Sequence, residues 1–228
     1  MAKNLPEALS ESLKENSVDT LSDVLEVGID AFLDEGITRD IPILSTVIGI
    51  YRTGKSINDL YLLKKLKVFV CAINDGIASK EDILKYKNKL QDNPKKRQQE
   101  LEYILVLINR YINLDKPEML AKLYLSYLDG IITWLELTKY SEVIDRFLPD
   151  DFNTLIAYDT FKTERDINTD AIQRLIALGL FVENFRATLI KNEEGTVTID
   201  PPELLEKRER NYTRTEFGNK FAGLFNRN

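Results

Sequence analysis

The segment Ile57-Asn-Asp-Leu-Tyr-Leu-Leu-Lys-Lys-Leu-Lys-Val-Phe-Val-Cys-Ala-Ile73 decides the fold class. Its apolar residues return every three or four positions with lysines between them, which is the spacing of an α-helix. The same spacing recurs in segments that begin at Pro94, at Lys116-Pro117 and at Trp134. Because these segments are joined by short connections, the sequence predicts a mainly α protein built as an irregular helical bundle.

Flanking residues predict where several of these helices begin and end. Asn93 precedes Pro94, and proline is favoured at the first position of a helix. Gly130 is expected to interrupt the helix that follows Pro117. Nearer the N-terminus, Ser17 as an N-cap and Gly36 as a terminating glycine predict an acidic amphipathic helix.

The sequence pattern changes near residue 160. Thr169-Asp170 precedes a short helical segment that ends at Gly179, and the runs of β-favouring residues after it predict one antiparallel hairpin within Phe185–Ile199. A last helix follows the hairpin. We therefore expect a helical domain over residues 1–160 and a separate module over residues 161–228.

The second module resembles the C-terminal part of a winged-helix domain. Leu175-Ile-Ala-Leu-Gly-Leu180 has the leucine–glycine–leucine turn that follows the recognition helix in many bacterial winged-helix domains. Tyr212-Thr-Arg-Thr-Glu-Phe-Gly218 is similar to the segment that starts their final helix, although Arg214 stands where that pattern has leucine. The resemblance implies a winged-helix-like module with one β-hairpin that binds nucleic acid or protein.

Composition excludes several classes of enzyme. The chain of 228 residues has no histidine and a single cysteine, Cys71. Ser-His-Asp and Cys-His catalysis, His-ligated zinc sites and internal disulfides are therefore ruled out. We expect no catalytic residue, no metal and no cofactor, so the protein is predicted not to be an enzyme. The formal net charge of -6 argues against general coating of nucleic acid, although residues 64–97 are locally basic.

One motif points to an enzyme nonetheless. Gly49-Ile-Tyr-Arg-Thr-Gly-Lys-Ser56 fits the phosphate-loop pattern, in which Lys55 would contact the β- and γ-phosphate oxygens of a nucleotide. That chemistry requires a strand over Ile43–Ile48 and a helix from Ile57. The chain lacks the alternating strands and helices of a parallel NTPase sheet. A P-loop NTPase is therefore an alternative, and a helical turn with its bend at Gly54 is the preferred interpretation.

The apolar segment 41–63 has two interpretations. It is either a buried part of the core or a membrane-acting segment in which polar residues line a wet pore between subunits. The pore interpretation assigns Ile43, Val47, Ile50, Arg52 and Lys55 to the segment. No secretory signal and no run of about 18 apolar residues is visible, so we expect a cytoplasmic or inner-membrane-associated protein.

A cluster near the C-terminus is the candidate nucleic-acid site. Arg208, Arg210 and Arg214 would hold phosphates, and Tyr212 would stack on a base of single-stranded DNA or another oligonucleotide. The alternative is a solvated charged linker. The basic segment Lys85–Arg97 is the other candidate for phosphate contacts.

Three stretches resemble a recurring family of uncharacterised bacterial helical proteins that end in a winged-helix-like piece: Asp40–Ile57, Asp115–Leu123 and Ile144–Asp150. A membrane-acting segment beside a ligand-sensing tail is also similar to effectors of anti-phage defence, including the channel effector of the Hailong type. The resemblance implies a homo-oligomeric, membrane-acting, channel-like defence effector regulated by a nucleic acid or another polyanion. The alternative is a soluble regulatory or interaction protein with a winged-helix module.

Overall fold

The computed structural model of the chain describes residues 4–13, 41–50, 57–76, 88–89, 93–157, 160–162, 169–184, 189–191, 197–199 and 211–225. Contacts divide the chain into two compact units, residues 1–145 and 146–228. Most of the described residues are helical and the rest of the regular structure is antiparallel sheet, which confirms the prediction of a mainly α protein.

The described elements follow one another in a simple order. The helices that begin in the first unit are α1 (Leu5–Ser12), α2 (Pro42–Ile50), α3 (Ile57–Asp75), α4 (Pro94–Arg110), α5 (Asp115–Leu128) and α6 (Trp134–Arg146). The second unit has a 3-10 turn (Pro149–Asp151), α7 (Phe152–Ala157), β1 (Thr160–Lys162), α8 (Thr169–Ala177), β2 (Phe181–Asn184), β3 (Leu189–Lys191), β4 (Val197–Ile199), β5 (Asn211–Arg214) and α9 (Glu216–Phe225). The acidic helix predicted from Ser17 to Gly36 lies outside the described residues.

Helix α3 is the centre of the first unit. Every residue from Leu63 to Ile73 is buried, and the helix packs against α2, α4 and α5. A helix without a solvent face is usually apolar all round, yet this stretch contains three buried lysines, Lys64, Lys65 and Lys67. Because an unpaired buried ammonium is costly, such lysines require polar partners within the unit.

The best-defined of these partners lie at the end of α4. The Nζ of Lys65 donates hydrogen bonds to the backbone carbonyls of Asn109, at 2.7 Å, and Tyr111, at 2.8 Å. The last carbonyls of a helix accept no hydrogen bond from the helix itself. A cation at this end also offsets the negative end of the helix dipole. Burial lowers the pKa of Lys65. One side chain thus joins the middle of α3 to the end of α4.

The short apolar helix α2 is held by α1. The backbone N–H of Ile43 donates to the hydroxyl of Ser12 at 2.9 Å, and this hydroxyl donates to the Ala8 carbonyl at 2.9 Å. The first N–H groups of a helix lack partners within the helix, so Ser12 satisfies one of them. Ile43 and Val47 are buried as a result, with 0% and 1% of their surface exposed.

A polar and aromatic cluster joins α4, α5 and α6. Glu100 is only 3% exposed, accepts a hydrogen bond from the Tyr127 hydroxyl at 2.6 Å and forms an ion pair with Arg97. Trp134 makes edge-on contacts with Tyr103 and Tyr127, with ring centroids 5.6 and 5.4 Å apart. Aromatic pairs of this geometry contribute roughly 0.5–1.5 kcal/mol beyond the area that they bury. The cluster therefore fixes the three helices through both packing and charge pairing.

Three short strands of the second unit form an antiparallel sheet in the order β1–β5–β2. Tyr212 of β5 lies opposite Phe161 of β1 and Glu183 of β2. Strands β3 and β4 pair as a separate hairpin, with Leu189 opposite Ile199, which confirms the hairpin prediction. The three-stranded sheet was not predicted, because its strands have three or four residues each and come from distant parts of the sequence.

The turn after α8 also positions α9. Gly179 has a φ of 74°, a left-handed conformation that favours glycine at the end of a helix. The Thr215 N–H donates to the Leu180 carbonyl at 2.9 Å, and its hydroxyl donates to the Gly179 carbonyl at 2.7 Å. The same hydroxyl accepts from the Gly218 N–H at 2.9 Å. Thr215 therefore caps α9 and ties that helix to the turn.

The sequence pattern changes near residue 160. The boundary between the two units lies earlier, between residues 145 and 146. Phe147 and Phe152 belong to the second unit, where their rings contact those of Phe221 and Phe225 with centroids 6.1 and 5.7 Å apart. These rings are far apart in sequence. The pattern near residue 160 marks the first strand, whereas the packing of this unit already begins at the end of α6.

Two glycines of α9 predict opposite effects of the same substitution. A Cβ on Gly218 would overlap the backbone carbonyl of Leu180, whereas a Cβ on Gly223 meets nothing within 4 Å. We expect Gly218→Ala to destabilise the protein by about 1–3 kcal/mol through overpacking. The matched control Gly223→Ala should stabilise it by about 0.5–1 kcal/mol through helix propensity. Denaturant unfolding of the full chain measures both, and a stable Gly218→Ala variant would contradict the packing.

Buried tyrosines predict a loss of stability at alkaline pH. Burial, strengthened by neighbouring acids, raises the pKa of Tyr127 and of Tyr140 to about 12, whereas tyrosines of the unfolded chain ionise near pH 10. The folded state therefore holds more protons than the unfolded state between those pH values. The free energy of unfolding should then fall as pH rises through this window.

Two lysines oppose this effect over part of the range. Burial lowers the pKa of Lys65 and Lys116 below 10.5. Their contribution to the free energy of unfolding therefore rises with pH, but only up to that value. Denaturant unfolding at several pH values, together with ultraviolet titration of the phenols, measures the balance. Stability that is constant or increasing above pH 10.5 would contradict the burial of these tyrosines.

Candidate functional site

The predicted pore segment is only partly described, and its described part belongs to the core. Ile43 and Val47 are buried in the first unit, whereas Ile50 is 55% exposed at the end of α2. Arg52 and Lys55 lie outside the described residues. Among the helices that the structure describes, none combines the length and the apolar character needed to cross a membrane. For Ile43 and Val47, the alternative interpretation as core residues is therefore the one that the contacts support.

The phosphate-loop alternative lacks its strand. Ile43–Ile48 lies within helix α2, where a P-loop requires a β-strand leading into the loop. In the part of the first unit that the structure describes, the other regular elements are helices as well. The strand over Ile43–Ile48 that the P-loop alternative requires is therefore replaced by a helix, which agrees with the preferred helical interpretation. The loop residues 51–56 themselves lie outside the described part.

The C-terminal cluster predicted to bind nucleic acid is divided by the structure. Tyr212 is 1% exposed and Arg214 is 9% exposed, so neither presents the surface that base stacking or phosphate contact needs. The burial of these two residues argues against the predicted contacts, since alternate residues of a strand share one face and this face of β5 is buried. Arg214 lies 3.5 Å from the Ile156 carbonyl, within the second unit. Arg208 and Arg210 lie outside the described residues.

One exposed surface in the described part of the second unit is the outer side of α8. Asp170, Gln173 and Ala177 are exposed, while Ala171 and Leu175 are buried. This is the spacing of an amphipathic helix with a narrow apolar stripe. The helix and its cap are predicted from the sequence, whereas its outer residues are not among the predicted site residues. The signal was present, because positions 170, 173 and 177 lie opposite the apolar positions in a helical pattern.

The one arginine of α8 is engaged by a buried acid. Arg174 donates from Nε and Nη2 to the two carboxylate oxygens of Asp151, at 2.8 and 2.6 Å. Asp151 is only 1% exposed, and its hydrogen bonds raise the pKa of Arg174. Such a two-point contact fixes the plane of the guanidinium group. Arg174 therefore links α8 to the 3-10 turn before α7, and its side chain is only partly available to a ligand.

Strand β2 continues the exposed surface beyond the turn. Val182 is 44% exposed, and β2 lies at one edge of the three-stranded sheet. An edge strand offers unpaired backbone groups to a binding partner. In the described part of the chain, no group of three acidic, cysteine or histidine residues is placed to hold a metal ion. The exposed residues of α8 and the edge of β2 thus offer a surface that can bind a partner.

The P-loop alternative gives a direct test. We expect calorimetry with ATP and Mg²⁺ to detect no binding to the wild-type chain, because a helix occupies the position of the strand that a phosphate loop requires. Micromolar binding that is lost in Lys55→Ala and kept in Lys139→Ala, whose lysine is exposed on α6, would contradict this expectation.

The comparisons with known proteins assign no family. No protein-family profile, no curated protein and no solved structure matches the chain. The resemblances to bacterial helical proteins and to Hailong-type effectors therefore stay predictions, and a function has to be argued from the geometry described above.

Proposed function

We propose that the chain is a regulatory interaction protein whose second unit is a winged-helix module that binds a protein partner. The order of elements supports the winged-helix assignment. A helix precedes β1, α8 leads into β2, a hairpin lies between β2 and β5, and α9 follows. The sheet order β1–β5–β2 is the order in which winged-helix domains arrange their three strands. In this assignment α8 is the recognition helix.

The choice of a protein over a nucleic acid as the partner rests on the chemistry of the outer side of α8. A helix that reads DNA needs lysine or arginine for the phosphates, and these contacts supply most of the affinity. Here the exposed residues of the described helix are Asp170, Gln173 and Ala177, and the side chain of Arg174 is 41% exposed. The arginine of the helix, Arg174, already binds Asp151. Such a helix would repel a phosphate backbone more than it attracts one.

The charge of the whole second unit agrees with this choice. Acidic residues slightly outnumber basic residues over positions 146–228, whereas nucleic-acid-binding domains are usually basic. The proposed partner has a surface of complementary chemistry, with cations opposite Asp170 and apolar groups opposite Ala177 and Val182. An interface of ordinary size buries about 800 Å² on each side, so the partner would extend from the short helix α8 onto β2.

The proposal takes up the second of the two functions suggested by the sequence. The membrane-acting effector required Ile43 and Val47 to face lipid or a pore, and these residues form part of the core of the first unit. A role in anti-phage defence is compatible with an interaction protein, and it stays a prediction that rests on resemblance. A homo-oligomer also stays a prediction, in which the partner of α8 would be a second copy of the chain.

Photo-crosslinking from α8 tests the proposal. A benzophenone amino acid replaces Gln173 in one chain and Glu102, exposed on α4 of the first unit, in a control chain. In cells that encode the protein, we expect an adduct from position 173 that resists nuclease and is digested by protease. The charge reversal Asp170→Lys should reduce the yield of this adduct, and the matched reversal Glu102→Lys should not.

Binding of an oligonucleotide would contradict the proposal of a protein partner. Fluorescence anisotropy with labelled single-stranded and double-stranded DNA should show no binding near physiological salt. Binding that weakens linearly with the logarithm of salt concentration, or an adduct that nuclease removes, would replace the protein partner with a nucleic acid. In that case the candidate contacts would be Arg208, Arg210 and the segment Lys85–Arg97.

A further inference from the structure

A cavity in the first unit lies between α3 and the end of α4. Its volume is about 510 Å³, within the range of pockets that hold small molecules. The residues that line it are Asn58, Tyr61, Lys65, Asn109, Arg110, Tyr111 and Ile112. They combine two amides, two phenols, two cations and one aliphatic side chain, and these described lining residues include no carboxylate.

The cations at this cavity are not cancelled by the helix end beside them. The carbonyls of Asn109 and Tyr111 would otherwise make the end of α4 negative, but both accept hydrogen bonds from Lys65. An ammonium has three protons, so these two bonds leave one for another acceptor. The cavity wall therefore keeps a positive character at Lys65.

Arg110 supplies the second charge and stands at the more open side. Its Nη2 pairs with Asp145 on α6, and 53% of its side chain is exposed. A guanidinium group has five N–H donors in a fixed plane, and an ion pair through one nitrogen leaves donors for a further anion. Asp145 orients the arginine in this arrangement.

Tyr111, one of the lining residues, has a buried hydroxyl without a hydrogen-bond partner among the described residues. Only 2% of this residue is exposed. Burial raises the pKa of this phenol, the nearby carboxylate of Asp145 adds to the increase, and the guanidinium of Arg110 opposes it. The hydroxyl therefore stays protonated at neutral pH. A buried polar group without a partner is uncommon and calls for an explanation.

The lining also offers apolar surface, from the ring of Tyr61 and the side chain of Ile112. The Tyr61 ring lies 6.0 Å from the Lys65 Nζ, and Ile112 is 84% exposed at the rim. A large aliphatic side chain with so much exposure is covered when a ligand packs against it. The amides of Asn58 and Asn109, both on exposed residues, can donate and accept hydrogen bonds at the edge of such a ligand.

We propose that this cavity binds a small aromatic anion, with its carboxylate or phosphate group at Arg110 and Lys65 and its ring between Tyr61 and Ile112. The site does not depend on the winged-helix assignment of the second unit. Ligand binding here would join α3 to the end of α4, since the two sides of the cavity belong to these elements.

Four compounds separate the contributions of charge and ring. Benzoate and phenyl phosphate carry both features with the two different acids, phenol carries the ring alone, and inorganic phosphate carries the charge alone. Calorimetry and ligand-detected NMR with the full chain at low salt should show binding of benzoate, phenyl phosphate or both. Phenol and inorganic phosphate should each bind at least about tenfold more weakly than the aromatic anion, because each lacks one group of contacts.

Two exposed aliphatic residues of similar chemistry provide matched variants. Ile112→Glu places a negative charge at the rim and should weaken binding of the aromatic anion by about tenfold or more. Val106→Glu introduces the same charge on α4 at a residue that is 64% exposed and does not line the cavity. This control should leave affinity nearly unchanged. Both residues are exposed, so both variants should keep the unfolding midpoint of the wild type.

Three results would overturn the proposal. The first is no binding of benzoate or phenyl phosphate at millimolar concentration. The second is equal loss of affinity in Ile112→Glu and Val106→Glu, which would indicate attraction by overall charge instead of a site. The third is inorganic phosphate that binds as tightly as phenyl phosphate, which would show that the ring makes no contribution. The photo-crosslinking result at α8 is independent of all three.

Discussion

Helix α3 has no solvent-facing residue between Leu63 and Ile73, and the arrangement of the first unit follows from that burial. A helix enclosed on all sides must be surrounded by other helices, and α2, α4 and α5 supply contacts. It must also satisfy the charges that it carries into the interior. Lys65 does so by binding the carbonyls at the end of α4. The central helix therefore fixes both the packing and one helix terminus.

This single contact has consequences for the candidate cavity. Because Lys65 neutralises the negative end of α4, the neighbouring space is lined by donors and cations instead of exposed carbonyls. Arg110 is the last residue of α4, so its position depends on where the helix ends. The charge that stabilises the fold also determines the kind of ligand that the cavity can accept, which is the physical link between stability and the proposed binding.

In the second unit the equivalent role belongs to the turn at Gly179-Leu180. Thr215 binds both carbonyls of this turn and caps α9, so the end of α8, strand β5 and the last helix are joined within a few residues. The buried pair Asp151–Arg174 holds α8 from its other side. On the outer side of α8, Asp170, Gln173 and Ala177 supply no cation and the partly exposed Arg174 is paired with Asp151, which is the basis for proposing a protein partner over a nucleic acid.

The sequence by itself determined the helices. Regular apolar spacing predicted α3 to α6, Asn93 and Pro94 marked the start of α4, and Gly179 marked the end of α8. These features depend on residues three or four positions apart, and such local interactions are visible in a sequence. The β3–β4 hairpin was predictable for the same reason, since its strands are close together in the chain.

The tertiary structure decided which side chains are available. The sequence places Tyr212 and Arg214 in a predicted basic and aromatic surface. In the structure β5 is the central strand of its sheet, and both side chains are buried. In sequence, Ile43 and Val47 fit either a buried core segment or a membrane-acting one, and the packing of α2 against α1 and α3 places them in the core. The cavity joins residues 58–65 to residues 109–112, and its charge depends on one lysine reaching across that separation. Burial and the pairing of charges are long-range properties, so the spacing of residues along the chain could not determine them.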